Sequence, residues 1–526
     1  MKKIIAALII MAMAAALAFA GGQAPASGGP AKLAVEVFDR GTDGGRTRVD
    51  NNAWTDWIKA KVLKDLNIEL TFQPVGRWSE DTDIINLMAS RSAPDLCYTY
   101  NRGMIASFRE QGGIMNLAPY IDRLLPDMKK LLGADPALTG QDFIYRDRDP
   151  VTGNIYSITS YQTRLSQRNV FIRKDWLDKL GLPLPTTTQQ FHDALAAFRD
   201  RDPGNVGKSN VIPFAQDYDA RWGLLSFVHS FFDPKMSDRD KFIYRFLEER
   251  SVTLPGYKEG MRMMNAWYNE GLIFHDYPLW RVPEDFFNML KTGIAGAFAG
   301  NWDLPWRQDY RIAEELARNV PGAVFVPIDC IQSSDGVTHK QIMDKPGLRI
   351  FVPAFSKNPE AALKYLNWLC LYENFHFLQV GSLGVNHELV EDIPRTIGTP
   401  AGHPWFQNSA NNIDYTIPMN GVEMMDPEKT SRVLAFGYGN TPPETIVNAN
   451  ALSIRNGKAW PVHPAETTAV KIGIYGQALR DKADALIDQA ITARPADFDR
   501  IWDAGMRDFL ASGAQECMDE RAAIWK

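Results

Sequence analysis

The residues best suited to do chemistry in this chain are aromatic rings set beside amides, carboxylates and guanidinium groups, just after apolar runs. Tyr100 and Asn101 follow Leu96-Cys97-Tyr98. Asp217, Tyr218 and Trp222 follow Ile212-Pro213-Phe214-Ala215. Trp302 and Asp303 close a run of small residues, Gly293 to Ala299. Arg40 and Asp43 stand in a Gly-rich polar loop after Leu33 to Phe38, and Trp78 in a polar loop after Ile68 to Phe72. Flat rings stack on C–H faces, and the polar groups meet hydroxyls, so such a mix suits holding a polyhydroxylated molecule. The competing reading of each ring is core packing, since most aromatics are buried.

Bond-making chemistry has less support. GxSxG, HExxH and CxxC are absent, and the loop at 40–46 lacks the glycine spacing of a phosphate loop. Eight histidines form no cluster. Glycoside hydrolysis needs two facing carboxylates about 5–9.5 Å apart, a separation that one sequence does not reveal. A secreted polysaccharide-degrading enzyme is therefore the minor reading, behind binding of a peptide or other non-sugar solute.

These residues need a scaffold. The chain has 526 residues, enough for two or three domains. It is 45% hydrophobic and 23% charged, which excludes a disordered protein. A net charge of −6 with interspersed signs argues against nucleic-acid binding, which needs a basic face. Lys2 and Lys3, the apolar Ile4 to Leu17 and Ala18-Phe19-Ala20 read as a signal peptide over 1–20, with a Gly/Ala/Ser/Pro-rich lead-in at 21–31. Cys97, Cys330, Cys370 and Cys517 allow three full pairings, and buried thiols are the favoured reading.

Residues 168–203 carry the densest local signals. Asn169 to Ile172 reads as a strand, and a short helix bears Trp176, Leu177 and Leu180 on one face. Gly181 stops it, and Pro183 and Pro185 extend the chain. Thr187 with Gln190 reads as a capping box before a helix with Phe191, Leu195 and Phe198 in line. Ile144 to Tyr156 reads as a hairpin.

This order resembles the family 1 extracellular solute-binding proteins of ABC importers, in their large carbohydrate-binding branch. LMASRSAPDL (87–96), NEGLIFHDY (269–277), GIAGAFAGNWD (293–303) and NPEAALKYLNWL (358–369) stand in the family's order. The resemblance implies a type II periplasmic-binding fold of two discontinuous α/β lobes: 32–160 with 325–380, and 161–324 with 381–526. A loop-rich elaboration would span 385–465. It implies that Tyr161 and Gln162 face a cleft beside the hinge, that Trp302 lies against ligand, and that Arg40 and Asp43 sit at the cleft mouth. It further implies a carbohydrate ligand, permease subunits as partners, a monomer, and a periplasmic or extracellular location. Relatives carry a lipidated Cys where Gly21 stands, so a lipid anchor is not expected. No cofactor is expected. The family's calcium loop maps to Asp202–Val211, where Gly204, Val206 and Val211 replace oxygen ligands.

Overall fold

The computed structural model describes residues 29–525, apart from 134–141, 164, 217–222, 224–225, 280–282, 308–309, 344, 440, 462, 464–465 and 467. The signal peptide and most of the lead-in lie outside the described residues. The strands in chain order are β1 (Ala31–Asp39), β2 (Ile68–Gly76), β3 (Cys97–Thr99), β4 (Ile158–Gln162), β5 (Arg168–Arg173), β6 (Ile212–Ala215), β7 (Ala295–Asn301), β8 (Phe325–Ile328), β9 (Lys340–Ile342), β10 (Pro346–Phe351), β11 (His387–Val390), β12 (Ile393–Thr396), β13 (Met419–Asn420) and β14 (Gly457–Ala459).

Two sheets divide the chain. In the first, β1 and β2 pair in parallel, from Ala31 with Ile68 to Asp39 with Gly76. A parallel bridge between Val35 and Leu96 brings in β3. The order then runs β3, β10, β4, β13, with β10 antiparallel to both neighbours. β2 alternates buried Ile68, Leu70 and Phe72 with exposed Glu69 and Thr71, the period-two pattern of a half-buried strand. Trp54, Tyr98, Trp368 and Met419 share its core.

The second sheet has the order β6, β7, β5, β8. Phe171, Phe298 and Phe325 cover one face, and Trp176, Phe198, Phe227 and Trp267 the other. The small residues of β7 have a packing cause. A Cβ on Gly296 would stand 2.5 Å from the Phe198 ring and 2.9 Å from Trp176, so a larger residue would push both rings off the sheet.

The 168–203 signals are realised. Trp176 and Leu177 are buried, Gly181 takes φ 67°, and Phe191, Leu195 and Phe198 point into the core. Thr187 accepts the Gln190 N–H, as a cap should. The Gln190 side chain, however, accepts from Thr186, not Thr187. Residues 144–156 form no hairpin. The Asp149 carboxylate takes the Val151 and Thr152 N–H groups and curls the segment into turns.

The lobe boundaries shift from those expected. β8 pairs with β5 in the second sheet, not with the first lobe. β13 pairs with β4, and Tyr415, Ile417 and Met419 enter the first core, although 381–526 was assigned to the second lobe. The chain thus crosses between sheets from β4 to β5 and from β8 to β10. Helices α1 (Pro427–Phe436) and α2 (Pro443–Ile454) then span the lobes, since Val433 packs with Val422 and Ile393 while Ala435, Ile446 and Ala449 pack on Trp302. α3 (Lys471–Thr492) buries Leu479, Leu486 and Ile487 in the second core.

Candidate binding cleft

The carboxyl ends of β1, β2 and β3 build one wall. Tyr100, just past β3, lies parallel to Phe38, with ring centroids 6.1 Å apart and planes 14° apart. The Arg77 guanidinium covers Tyr100 at 4.4 Å and Trp78 at 5.1 Å. A cation over a ring is worth about 0.5–2 kcal/mol, so Arg77 holds both rings in place. Asn420 donates from Nδ2 to the Tyr100 hydroxyl at 3.0 Å. Burial pushes the Tyr100 hydroxyl pKa up, with Arg40 and Arg77 offsetting part of the rise. Arg77 pairs with Glu80 at 2.7 Å, and Glu80 accepts the Tyr100 N–H at 2.9 Å. Burial outweighs Arg77 and leaves the Glu80 carboxyl above its usual range. Trp78 is 79% exposed, which makes it an open platform at the rim.

Arg40 forms a two-pronged pair with Asp414, at 2.8 and 2.9 Å. Burial alone would lower the Arg40 pKa, but Asp414 overrides it and holds the guanidinium above its ordinary value. Asn408 adds a third hydrogen bond to Asp414 at 3.0 Å. Asp43 ties its loop down, accepting from the N–H groups of Arg46 and Gly402.

Other expected site residues are occupied structurally. Asn101 caps a helix by accepting the Met104 N–H, and its amide donates to Asp81 at 2.8 Å. Tyr161 and Gln162 are buried within β4, and Tyr161 meets Phe143 edge-on at 5.7 Å. Trp302, expected as an open stacking ring, is 3% exposed and wedged edge-on against Tyr438 at 5.8 Å, so it presents no free face. Asp303 is likewise enclosed, accepting from Tyr438 at 2.6 Å and Arg307 at 2.9 Å. The cause is the α1–α2 insertion, whose Ala435, Ile446 and Ala449 close over the end of β7. Asp217, Tyr218 and Trp222 lie outside the described residues. The structure therefore brings Arg40, Trp78 and Tyr100 together around Arg77 and encloses Trp302 and Asp303 beneath α1 and α2. Sequence reasoning missed Arg77, Asp414 and Asn420. Arg77 was within reach, standing between β2 and Trp78, whereas Asp414 and Asn420 arrive from over 300 residues away.

Beside this wall, at Arg102 and Asp81, the lobes meet through charge. Arg102 bonds Glu466 at 3.3 Å, and Arg521 bonds the same carboxylate at 2.9 Å. Burial would raise the Glu466 pKa, but Arg521 and Arg102 overcome it and pull it to about 2. Arg480 approaches Asp81 at 3.6 Å.

The implied calcium does not fit the loop at 202–211. Both Asp202 oxygens are taken by the N–H groups of Val206 and Gly207, and Lys179 places its ammonium on the Pro203 carbonyl at 2.9 Å. Among the described residues no group of three His, Cys, Asp or Glu could hold a metal. All four cysteines are buried free thiols. No described helix is long and apolar enough to cross a membrane.

No family model matches the chain. Lipoprotein LipO of Bacillus subtilis is 28% identical over 315 residues, covering 56% of each chain. The polygalacturonan/rhamnogalacturonan-binding protein YtcQ of the same organism is 26% identical over 170 residues, 32% of each chain. The fructooligosaccharide ABC transporter substrate-binding protein FusA of Streptococcus pneumoniae is 27% identical over 184 residues, again 32% of each. The chain thus matches about half the length, or less, of these curated relatives. Among solved structures, calcium-free alginate-binding protein AlgQ2 superposes with a TM-score of 0.65 at 17% identity, over 94% of this chain and 98% of that one. An extracellular solute-binding protein from Bifidobacterium longum subsp. infantis gives 0.64 at 16% identity, over 95% and 99%. The fold is that of the two-lobed solute-binding proteins, type II.

Proposed function

We propose that this chain is a family 1 extracellular solute-binding protein of the carbohydrate branch, the substrate-binding component of an ABC importer. It binds an oligosaccharide between its lobes and delivers it to permease subunits; it performs no chemistry on it. The observation that carries this reading is the wall at the ends of β1, β2 and β3. An open indole, a clamped phenol and two anchored guanidinium groups stand where α/β sheets place ligands. Stacking holds the apolar sugar faces, and Arg40, Arg77 and the Tyr100 hydroxyl address the rim of hydroxyls. Closure of the lobes buries the ligand and stabilises the form that the permease recognises. The names of two relatives, a polygalacturonan/rhamnogalacturonan-binding protein and a fructooligosaccharide ABC transporter substrate-binding protein, support a glycan over a peptide. Gly21 in place of a cysteine after Ala18-Phe19-Ala20 supports an exported chain without a lipid anchor.

Calorimetry on the mature chain with neutral and acidic oligosaccharides, and with tri- to pentapeptides in parallel, tests the reading. Saturable binding of at least one glycan, with no heat from peptides, is the expected result. Peptide binding with no response to any glycan would replace it with a peptide carrier.

A further inference from the structure

The second lobe carries a group of polar side chains that the first-lobe wall does not use. Arg245 stands at the end of a short helix, Asp238–Tyr244, and stacks on the Trp460 indole at 5.0 Å. Its nearest carboxylate, Glu249, is 3.9 Å away, beyond hydrogen-bond reach, and no side-chain hydrogen bond is made by this guanidinium among the described residues. Trp460 itself keeps a buried indole N–H without a partner among the described residues. Three residues after Arg245, Glu248 holds a left-handed backbone at φ 54°, a strained conformation for a glutamate. Glu248 retains water access although protein surrounds it, as expected for a group lining a cleft.

These groups face the first lobe. The charges of Arg102 and Glu466 act on both Arg245 and Glu248, and Arg102 begins the helix that follows Tyr100 and Asn101. The nearby carboxylates are engaged elsewhere: Glu466 by Arg102 and Arg521, Glu249 by Arg168 at 3.5 Å. Burial is the largest cause lowering the Arg245 pKa; the charges of Glu249, Glu248 and Glu466 offset part of it, and Arg102 adds to it. Surrounding protein and the neighbouring Glu249 charge push the Glu248 carboxyl above its ordinary value. The Arg245 side chain is only partly enclosed, so its unused donors are left to water, and the partner that suits such a fork best is a planar, two-oxygen anion. Stacking on Trp460 fixes the plane of the guanidinium and leaves its N–H edges open for such a group.

We infer that Arg245, braced on Trp460 and flanked by Glu248, forms the opposing wall of the cleft and receives the carboxylate of an acidic sugar, so that the oligosaccharide carried is a uronate. This deepens the binding reading above and rests on it. Glu248 then meets the hydroxyls beside that carboxylate.

The test is calorimetry on the mature chain with trigalacturonate, its fully methyl-esterified form, and neutral β-1,4-galactotriose. The expected result is that trigalacturonate binds at least ~10-fold more tightly than its ester, as a charge-assisted pair is worth about 1.5–3 kcal/mol. Its affinity should fall between 50 and 500 mM salt, while that of any neutral binder stays constant. Arg245→Met keeps the packing on Trp460 and should lose ~10- to 100-fold for trigalacturonate and under threefold for a neutral glycan. Arg245→Lys keeps the charge without the fork, and should also discriminate less well between acid and ester. Equal affinity for acid and ester, or an equal loss for acidic and neutral glycans in Arg245→Met, would overturn the inference. If Arg245→Met does not fold, the wild-type acid-to-ester ratio and its salt dependence decide alone. Neutral glycans binding while trigalacturonate does not would sink this inference and leave the oligosaccharide reading intact; failure of every glycan would sink both.

Discussion

Replacing Trp78 with Ala separates ligand contact from stability most cleanly. At 79% exposure the side chain contributes almost nothing to the core, so unfolding free energy should move by no more than about 0.5 kcal/mol. The effect on binding follows from its area. A tryptophan offers roughly 200 Å², of which about 160 Å² lies open here, and a sugar on one ring face covers about 80 Å² of it. At ~25 cal/mol per Å² that coverage contributes about 2 kcal/mol, a loss of ~30-fold in affinity on truncation. Arg77 strengthens the argument, because it already covers the indole at 5.1 Å and fixes its orientation before ligand arrives. Isothermal titration with the tightest glycan of the panel, beside a thermal melt, measures both quantities. An unchanged Kd would remove Trp78 from the site, and a fall in Tm of many degrees would refute the claim that it is an uninvolved surface ring in the free protein.

Trp302→Ala should behave in the opposite way: at 3% exposure the ring fills the space under α1 and α2, so its loss should cost about 3–5 kcal/mol in denaturant unfolding. Glu466 predicts a pH signature. Its folded pKa of about 2 lies below the ~4.3 of an unfolded glutamate, so its stabilisation is full above pH ~4.3 and fades as pH falls toward 2. Glu466→Gln should therefore melt below wild type at pH 7, with the gap closing on acidification; a constant gap would contradict the arginine pairing. In the loop at 202–211, millimolar calcium or EDTA should leave Tm unchanged, and Lys179→Met should cost about 1 kcal/mol by removing the bond to Pro203. A rise in Tm with calcium would show that the loop still takes the ion.

Local signals were legible wherever one residue decides the backbone. Gly181 ends its helix and Thr187 caps the next, as their types require, and the small residues of β7 match the rings packed on Gly296. The strand ends bearing Arg40, Trp78 and Tyr100 were legible too, because the apolar runs Leu33 to Phe38 and Leu96 to Tyr98 and the period-two run Ile68 to Phe72 each stop at polar residues. What escaped depends on distant partners. Nothing near Phe325 says that its strand joins β5, and the two-residue β13 is too short to show a period. Trp302 was read as an open ring because the residues that cover it, Ala435 to Ala449, come over 130 positions later and carry only a generic helical pattern. Arg245 escaped for a related reason: in sequence it is one charge on a charged helix, and only packing against Trp460 sets it apart.

The account's central claim, that both lobes grip one glycan, is tested most directly by hydrogen–deuterium exchange of the mature chain with and without its tightest glycan. Residues 76–80 and 98–102 of the first lobe and 244–250 of the second should gain protection together. Protection confined to one lobe, or to surfaces remote from these strand ends, would contradict it.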